Sequence, residues 1–222
     1  METAARTLAL ETAARTLARY ASSLQLSDVP AIDIERATQC LVDAVGVALL
    51  GSTLPWAQWA KRYAGHYGAA GTSRVIGSPA RVSAPLAALA NGVAAHAFEL
   101  DSLRKPGAGV HPGAALMPVA LALGEELHSS GSEVLAAFVA GCEVMFRIGT
   151  ASRHSSESLG FHAPGLTGPF GAAIVAGRLL RLDSERLCQA LGIGGSLCSG
   201  VLAFAKADNG AMVKRLHLGR GA

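Results

Sequence analysis

Five side chains in this sequence have types and spacings suited to moving protons or holding carboxylates: Asp101, His111, His162, Lys214 and His217. His111 stands directly before Pro112, and a proline opening a helix forces the preceding residue out of helical geometry. At a helix start the positive end of the dipole disfavours an imidazolium, so the ring stays neutral and can accept a proton. The same loop supplies Glu99 and Asp101, either of which could orient that ring. Taken alone, the pattern favours a structural helix-start histidine over a base. His162 lies in "GFHAPGLTGPFGAA", where Gly160, Gly165 and Gly168 clear side chains from the path of a ligand. Pro169 there reads as a helix opening whose first amides favour an anion. A tight interhelix turn would look the same. Lys214 and His217, three apart, share a helix face and suit binding a carboxylate beside a proton carrier. A solvated basic face is the plainer reading, with Arg215 and Arg220 pointing elsewhere. His66, His128 and His154 read as solvated, and His96, on an Ala-rich helix, as a satisfied interior histidine.

Helices must position these groups. The octapeptide "ETAARTLA" occurs at Glu2 and again at Glu11. Copies nine residues apart face opposite sides of a helix, so the first reads as a frayed extension, with Leu17 and Tyr20 nearer the docking face. A helix capped by Asp33 runs to Leu50 and stops at Gly51. Pro55 opens another that carries Trp56, Trp59 and Tyr63 on one side. "GTSRVIGSPAR", from Gly71 to Arg81, is the one stretch that reads as extended or looped. Small-residue helices follow from Ser83 and from Pro112, the latter expected to kink at Pro118. Ser130 and Glu133 form a capping box before a helix with Glu143 and Arg147 four apart. Further helices begin near Pro169, Asp183 and Met212. The fold class is all-α.

The composition narrows the function classes. Of 222 residues half are apolar and 16% are charged, with a mean hydropathy of +0.35. The excess is small residues rather than aromatics, which suits closely packed helices or a large oligomer interface. The longest uncharged stretches are broken by Gly, Pro, Ser or Gln, so no membrane span is expected. Charges interrupt any signal-like start. Cys40, Cys142, Cys188 and Cys198 form no metal-type pairs and read as buried free thiols of a reducing compartment. A net charge of +3 from scattered basic residues does not suit nucleic acid. No phosphate loop, dinucleotide fingerprint, nucleophile elbow or zinc-protease motif occurs, and no cysteine or carboxylate cluster for a metal. Acid–base chemistry without a cofactor is the expectation.

Four motifs in order, "LANGVAAHAFELDS", "VHPGAALMPVALALGEEL", "GFHAPGLTGPFGAA" and "MVKRLHLGR", resemble those of the MmgE/PrpD family. That family includes 2-methylcitrate dehydratase, cis-aconitate decarboxylase and iminodisuccinate epimerase. The resemblance implies a helical domain built from both ends of a longer chain, an α/β lid between them, and usually a dimer with the active site in the interdomain cleft. On that basis residues 1–16 would be an extension and 17–222 the N-terminal part of the helical domain, with the lid outside this chain. By motif, Asp101, His111, His162 and Lys214 match the family's catalytic positions. His217, Gly165, Thr167 and Gly168 would bind substrate, with no metal and no cofactor. The implied function is a lyase of the 2-methylcitrate dehydratase type acting on a small di- or tricarboxylate, in a cytoplasmic homodimer. The alternatives are an epimerase of an iminodisuccinate-like acid and a non-catalytic helical module. Departures fall at Ser102, where a second acidic residue is common, at "LRKPGAG", and at Leu166, where Thr is frequent.

Overall fold

The computed structural model describes residues 12–104, 110–153, 155–208 and 211–222. The first repeat copy, His154 and residues 105–109 of "LRKPGAG" lie outside the described residues. Among those described there are ten α-helices and one two-stranded hairpin, and the all-α expectation holds.

The chain enters through α1 (Ala13–Ser23), capped by the Thr12 side chain accepting from the Arg15 amide. The helix thus begins inside the second repeat copy. Its docking face centres on the fully buried Ala18 and Ala21, with Leu17 beside them and Tyr20 at the edge. Arg178 donates to the carbonyls of Ser22 and Leu24, both at 2.7 Å, and so secures the end of this segment.

Next come α2 (Ala31–Gly51) and α3 (Pro55–Tyr67). Pro30, not Asp33, occupies the N-cap of α2. The aromatic side of α3 is largely turned out: Trp59 and Tyr63 are half exposed, while Ala57, Ala60 and Ala64 are buried. Small residues win the inner face because they let the neighbouring backbone approach. Strands β1 (Ala70–Arg74) and β2 (Arg81–Val82) pair antiparallel. Buried Asn91 pins this hairpin, accepting from the Ile76 amide and donating to the Arg74 carbonyl.

The centre of the molecule is α4 (Ala84–Ala95), α5 (Pro112–Glu126) and α8 (Ala163–Leu179), each buried around most of its circumference. Helix α5 continues through Pro118 without a break. Helix α6 (Gly131–Ser152) starts in the expected Ser130–Glu133 capping box and packs on α8. By length and composition α6 could cross a membrane, but 44% of its apolar stretch is buried inside the protein and it carries the Glu143–Arg147 ion pair. After the short α7 (Ser155–Ser158), α8 and α9 (Ser184–Ser196) lead to the last helix, α10 (Ala211–Gly221). The four cysteines are free, as expected, and partly rather than wholly buried.

Helix α8 begins at Ala163, directly after His162, and Pro169 lies inside it rather than at its start. Pro164 fits the first turn, where no amide donor is needed. Pro169 has no N–H for the Gly165 carbonyl four residues back. That carbonyl accepts instead from the Ser199 amide at 3.3 Å and from Arg220 at 3.2 Å. The proline thus frees an acceptor that ties α10 and the loop before it to the start of α8.

Candidate active site

Helix α4 ends at Ala95, and the chain turns back on itself so that Asp101 folds under His96. Asp101 is buried and its Oδ1 accepts from His96 Nδ1 at 2.9 Å. Its other oxygen lies 2.8 Å from His111 Nδ1. That approach has the length of a hydrogen bond but not its angle, and both atoms lack an aligned partner. A modest turn of the His111 ring, 18% exposed, would bring them into line. Burial works against the Asp101 charge, yet the His111 and His96 contacts hold its carboxyl well below the usual carboxylate range. Burial pushes the His96 imidazole down, only partly offset by Asp101.

His111 is the N-cap of α5 and His162 the N-cap of α8, so two helix starts aim their imidazoles at one region. The His96 ring centroid is 5.0 Å from that of His111 and 6.1 Å from that of His162. His162 Nδ1 faces His217 Nδ1 at 3.2 Å, and the Phe204 ring packs against both rings. His162 is pushed down to about 3, first by burial and then by the neighbouring His96, His217 and Lys214. Burial likewise lowers His217.

Two close approaches seat α10. A Cβ on Gly92 would come within 2.8 Å of the Gly219 Cα, so α4 and α10 touch backbone to backbone where they cross. Gly200, at φ +127°, passes so near His217 that a Cβ would meet its Nδ1 at 3.0 Å. Arg220 donates to the carbonyls of Leu197, Gly165 and Ser199. Lys214 pairs with Glu99 at 2.5 Å, and its Nζ lies 5.9 Å from the Phe204 ring centre. Arg215 does not point away as expected: it reaches the same Glu99 carboxylate at 3.3 Å, donates to the Ala97 carbonyl and lies over Trp56. Burial opposes the Glu99 charge, but Lys214 and Arg215 hold it below its ordinary value. Glu99 adopts a left-handed backbone, φ 58°, uncommon for a residue with a side chain.

The structure therefore brings Asp101, His111, His162, Lys214 and His217 into one continuous cluster. Of the two acids in the loop, Asp101 meets His111 and Glu99 meets Lys214. The expected substrate contacts of the glycine turn stand differently. The space at Gly165 is filled by the Ser199 carbonyl, 2.4 Å from where a Cβ would lie. Gly168 faces Ala115 and Gly221, and the buried Thr167 hydroxyl donates to the Ala163 carbonyl. These three residues shape helix packing around the site.

The sequence reading missed His96, Glu99 as a partner of Lys214, Arg215 and Phe204. It also saw no metal ligand set, whereas His96, Asp101 and His111 offer ligand atoms all within 4.8 Å of one another. Both Nδ1 atoms face the carboxylate, an arrangement that stores protons between these groups and would need to release them to take a cation. The His96–x4–Asp101 spacing was visible, but the turn that folds one onto the other was not. A groove of 720 Å³ is lined by Tyr20, Arg36, Cys40, Pro112 and Cys142, with none of the site imidazoles in its lining.

The MmgE/PrpD N-terminal domain matches residues 15–222. The chain belongs to the MmgE/PrpD family. Within it, the chain is 32% identical over 195 residues to cis-aconitate decarboxylase of Homo sapiens, covering 85% of this chain and 39% of that protein. It is 30% identical over 207 residues to cis-aconitate decarboxylase of Aspergillus terreus, covering 90% of this chain and 41% of the relative. A cis-aconitate decarboxylase-like protein of Aspergillus oryzae is 31% identical over 206 residues, 89% of this chain and 42% of its own length. The chain thus spans about two fifths of the length of the family members it matches. Lyase-type relatives and a helical domain agree with the family reading.

Proposed function

We propose that this chain supplies the proton-transfer and carboxylate-holding groups of a cofactor-independent lyase acting on a small di- or tricarboxylate of the cis-aconitate kind. The observation that carries the reading is the imidazole cluster at the starts of α5 and α8, with His162 and His217 pushed down by burial, beside a lysine whose present partner is a carboxylate. Lys214 and Arg215 exchange the Glu99 carboxylate for one on the substrate. His111, oriented by Asp101, takes or gives the proton at the reacting carbon, with His162 on the opposite side of the cluster. In decarboxylation the C–C bond to one carboxylate breaks, carbon dioxide leaves, and the electron pair left on carbon takes the proton that His111 Nε2 has first accepted from water. In dehydration the same base removes the carbon-bound proton as hydroxide leaves.

The names of the relatives favour a lyase over an epimerase. The test is a screen of the full-length protein on cis-aconitate, 2-methylcitrate and iminodisuccinate, followed by carbon dioxide release and by NMR of the products. Turnover of cis-aconitate or 2-methylcitrate supports the lyase. Turnover of iminodisuccinate alone would replace it with the epimerase, and no turnover of any would leave a non-catalytic helical module.

A further inference from the structure

His96 is fully buried on the α4 end, and nothing in the proton-transfer scheme uses it. It nevertheless makes the aligned side-chain hydrogen bond to Asp101, 2.9 Å from Nδ1 to Oδ1, while the His111 approach on the other oxygen is short but off line. A buried carboxylate held by a single aligned donor takes its orientation from that donor. Among the described residues no group meets the His96 Nε2, so the ring is anchored by its Nδ1 contact.

We infer that His96 is a positioning residue: its Nδ1–H fixes the Asp101 carboxylate, and Asp101 in turn fixes His111 with the proton on Nδ1 and the lone pair of Nε2 free. The inference deepens the function proposed above, in which His111 moves the proton. Without His96, the carboxylate is free to rotate away, and His111 divides between its two neutral tautomers. Only one of these presents a basic Nε2 to substrate. His96 therefore acts through two contacts and never touches the reacting atoms.

The test combines kinetics with histidine-selective 15N NMR of the full chain, in which the shifts of Nδ1 and Nε2 report the His111 tautomer directly. Wild type should show His111 as the Nδ1–H form. His96→Leu should show both tautomers and lose about ten- to a hundredfold in kcat with little change in KM, the scale seen when the partner that orients a functional imidazole is removed. His96→Asn, whose amide nitrogen falls near the position of Nδ1, should restore the single tautomer. His96→Gln, which places its amide one bond farther out, should not. If His96→Leu fails to fold, the Asn and Gln pair decides the matter. An unchanged His111 tautomer in His96→Leu, or identical spectra for Asn and Gln, would overturn the inference. If no carboxylate is turned over, the tautomer readout still decides the role of His96, so failure of the two ideas can be told apart.

Discussion

His162 and His217 face each other Nδ1 to Nδ1 at 3.2 Å although 55 residues separate them in the chain. Such a contact holds if one nitrogen carries a proton and the other does not, and with both rings uncharged they are opposite tautomers. Burial favours that state by lowering both imidazoles. The pair is a proton held in place, and it has a pH signature.

The folded His162 value, about 3, lies below its ordinary 6.5. Between those limits the unfolded chain binds the proton and the folded one does not, so stability falls as pH drops from 6.5 towards 3. The slope expected from this group is about 1.4 kcal/mol per pH unit. Thermal melts of wild type and His162→Gln between pH 7 and pH 4 should converge as the pH falls. Parallel curves would show that His162 is not held uncharged.

His111→Ala should lower turnover of the full-length enzyme about a hundredfold to ten-thousandfold, the usual loss for a positioned acid–base group. Its melting temperature should change little, because the ring stands at the mouth of the cluster rather than in the core. His128, in a left-handed turn after α5, touches none of the site groups, and His128→Ala should keep near-normal turnover. Steady-state kinetics beside melting curves for both variants check this pair.

Lys214→Met should weaken carboxylate binding by about ten- to a hundredfold, as expected for a charge-assisted hydrogen bond lost from a shielded site. Titration calorimetry with cis-aconitate measures it. Lys214→Arg should not restore affinity fully, since the planar guanidinium is a different shape from the ammonium. Equal affinity in all three proteins would remove Lys214 from the binding site.

Gly219→Ala should cost about 1–3 kcal/mol, because the new methyl meets the Leu89 carbonyl at 2.5 Å and Val93 at 2.6 Å. It should also reduce activity by moving Lys214 and His217 away from α4. Gly46→Ala is the contrasting case: that glycine is in the middle of α2 with nothing within 4 Å, so the change should stabilise by about 0.5–1 kcal/mol. Denaturant unfolding of the two variants separates the effects.

Turnover of the full-length enzyme should survive exhaustive chelation, because the Nδ1 atoms of His96 and His111 are both turned to the Asp101 carboxylate. Activity lost with EDTA and regained with one particular divalent metal would reassign His96, Asp101 and His111 as ligands.

The sequence by itself determined the elements and their starts. Periodicity and caps set the helices from Ser83, Pro112, Ser130 and Asp183, because hydrogen bonding at a helix end is decided by residues within one turn. It also marked His111, since Pro112 directly after it dictates local backbone whatever surrounds it, and it marked His162 through the glycines of its turn. Tertiary structure decided which face each helix buries: in α3 alanines displaced the larger aromatics, a matter of how closely neighbours approach. It decided that Gly165 admits a carbonyl of its own chain, and that Pro169 sits within a helix while its orphaned acceptor finds Arg220. Most of all, it divided the two acids of one loop between His111 and Lys214 and set His96 beneath Asp101. Those pairings depend on the turn after α4 and on where α10 crosses it, and distances set by packing between remote segments leave no periodic trace in a single chain.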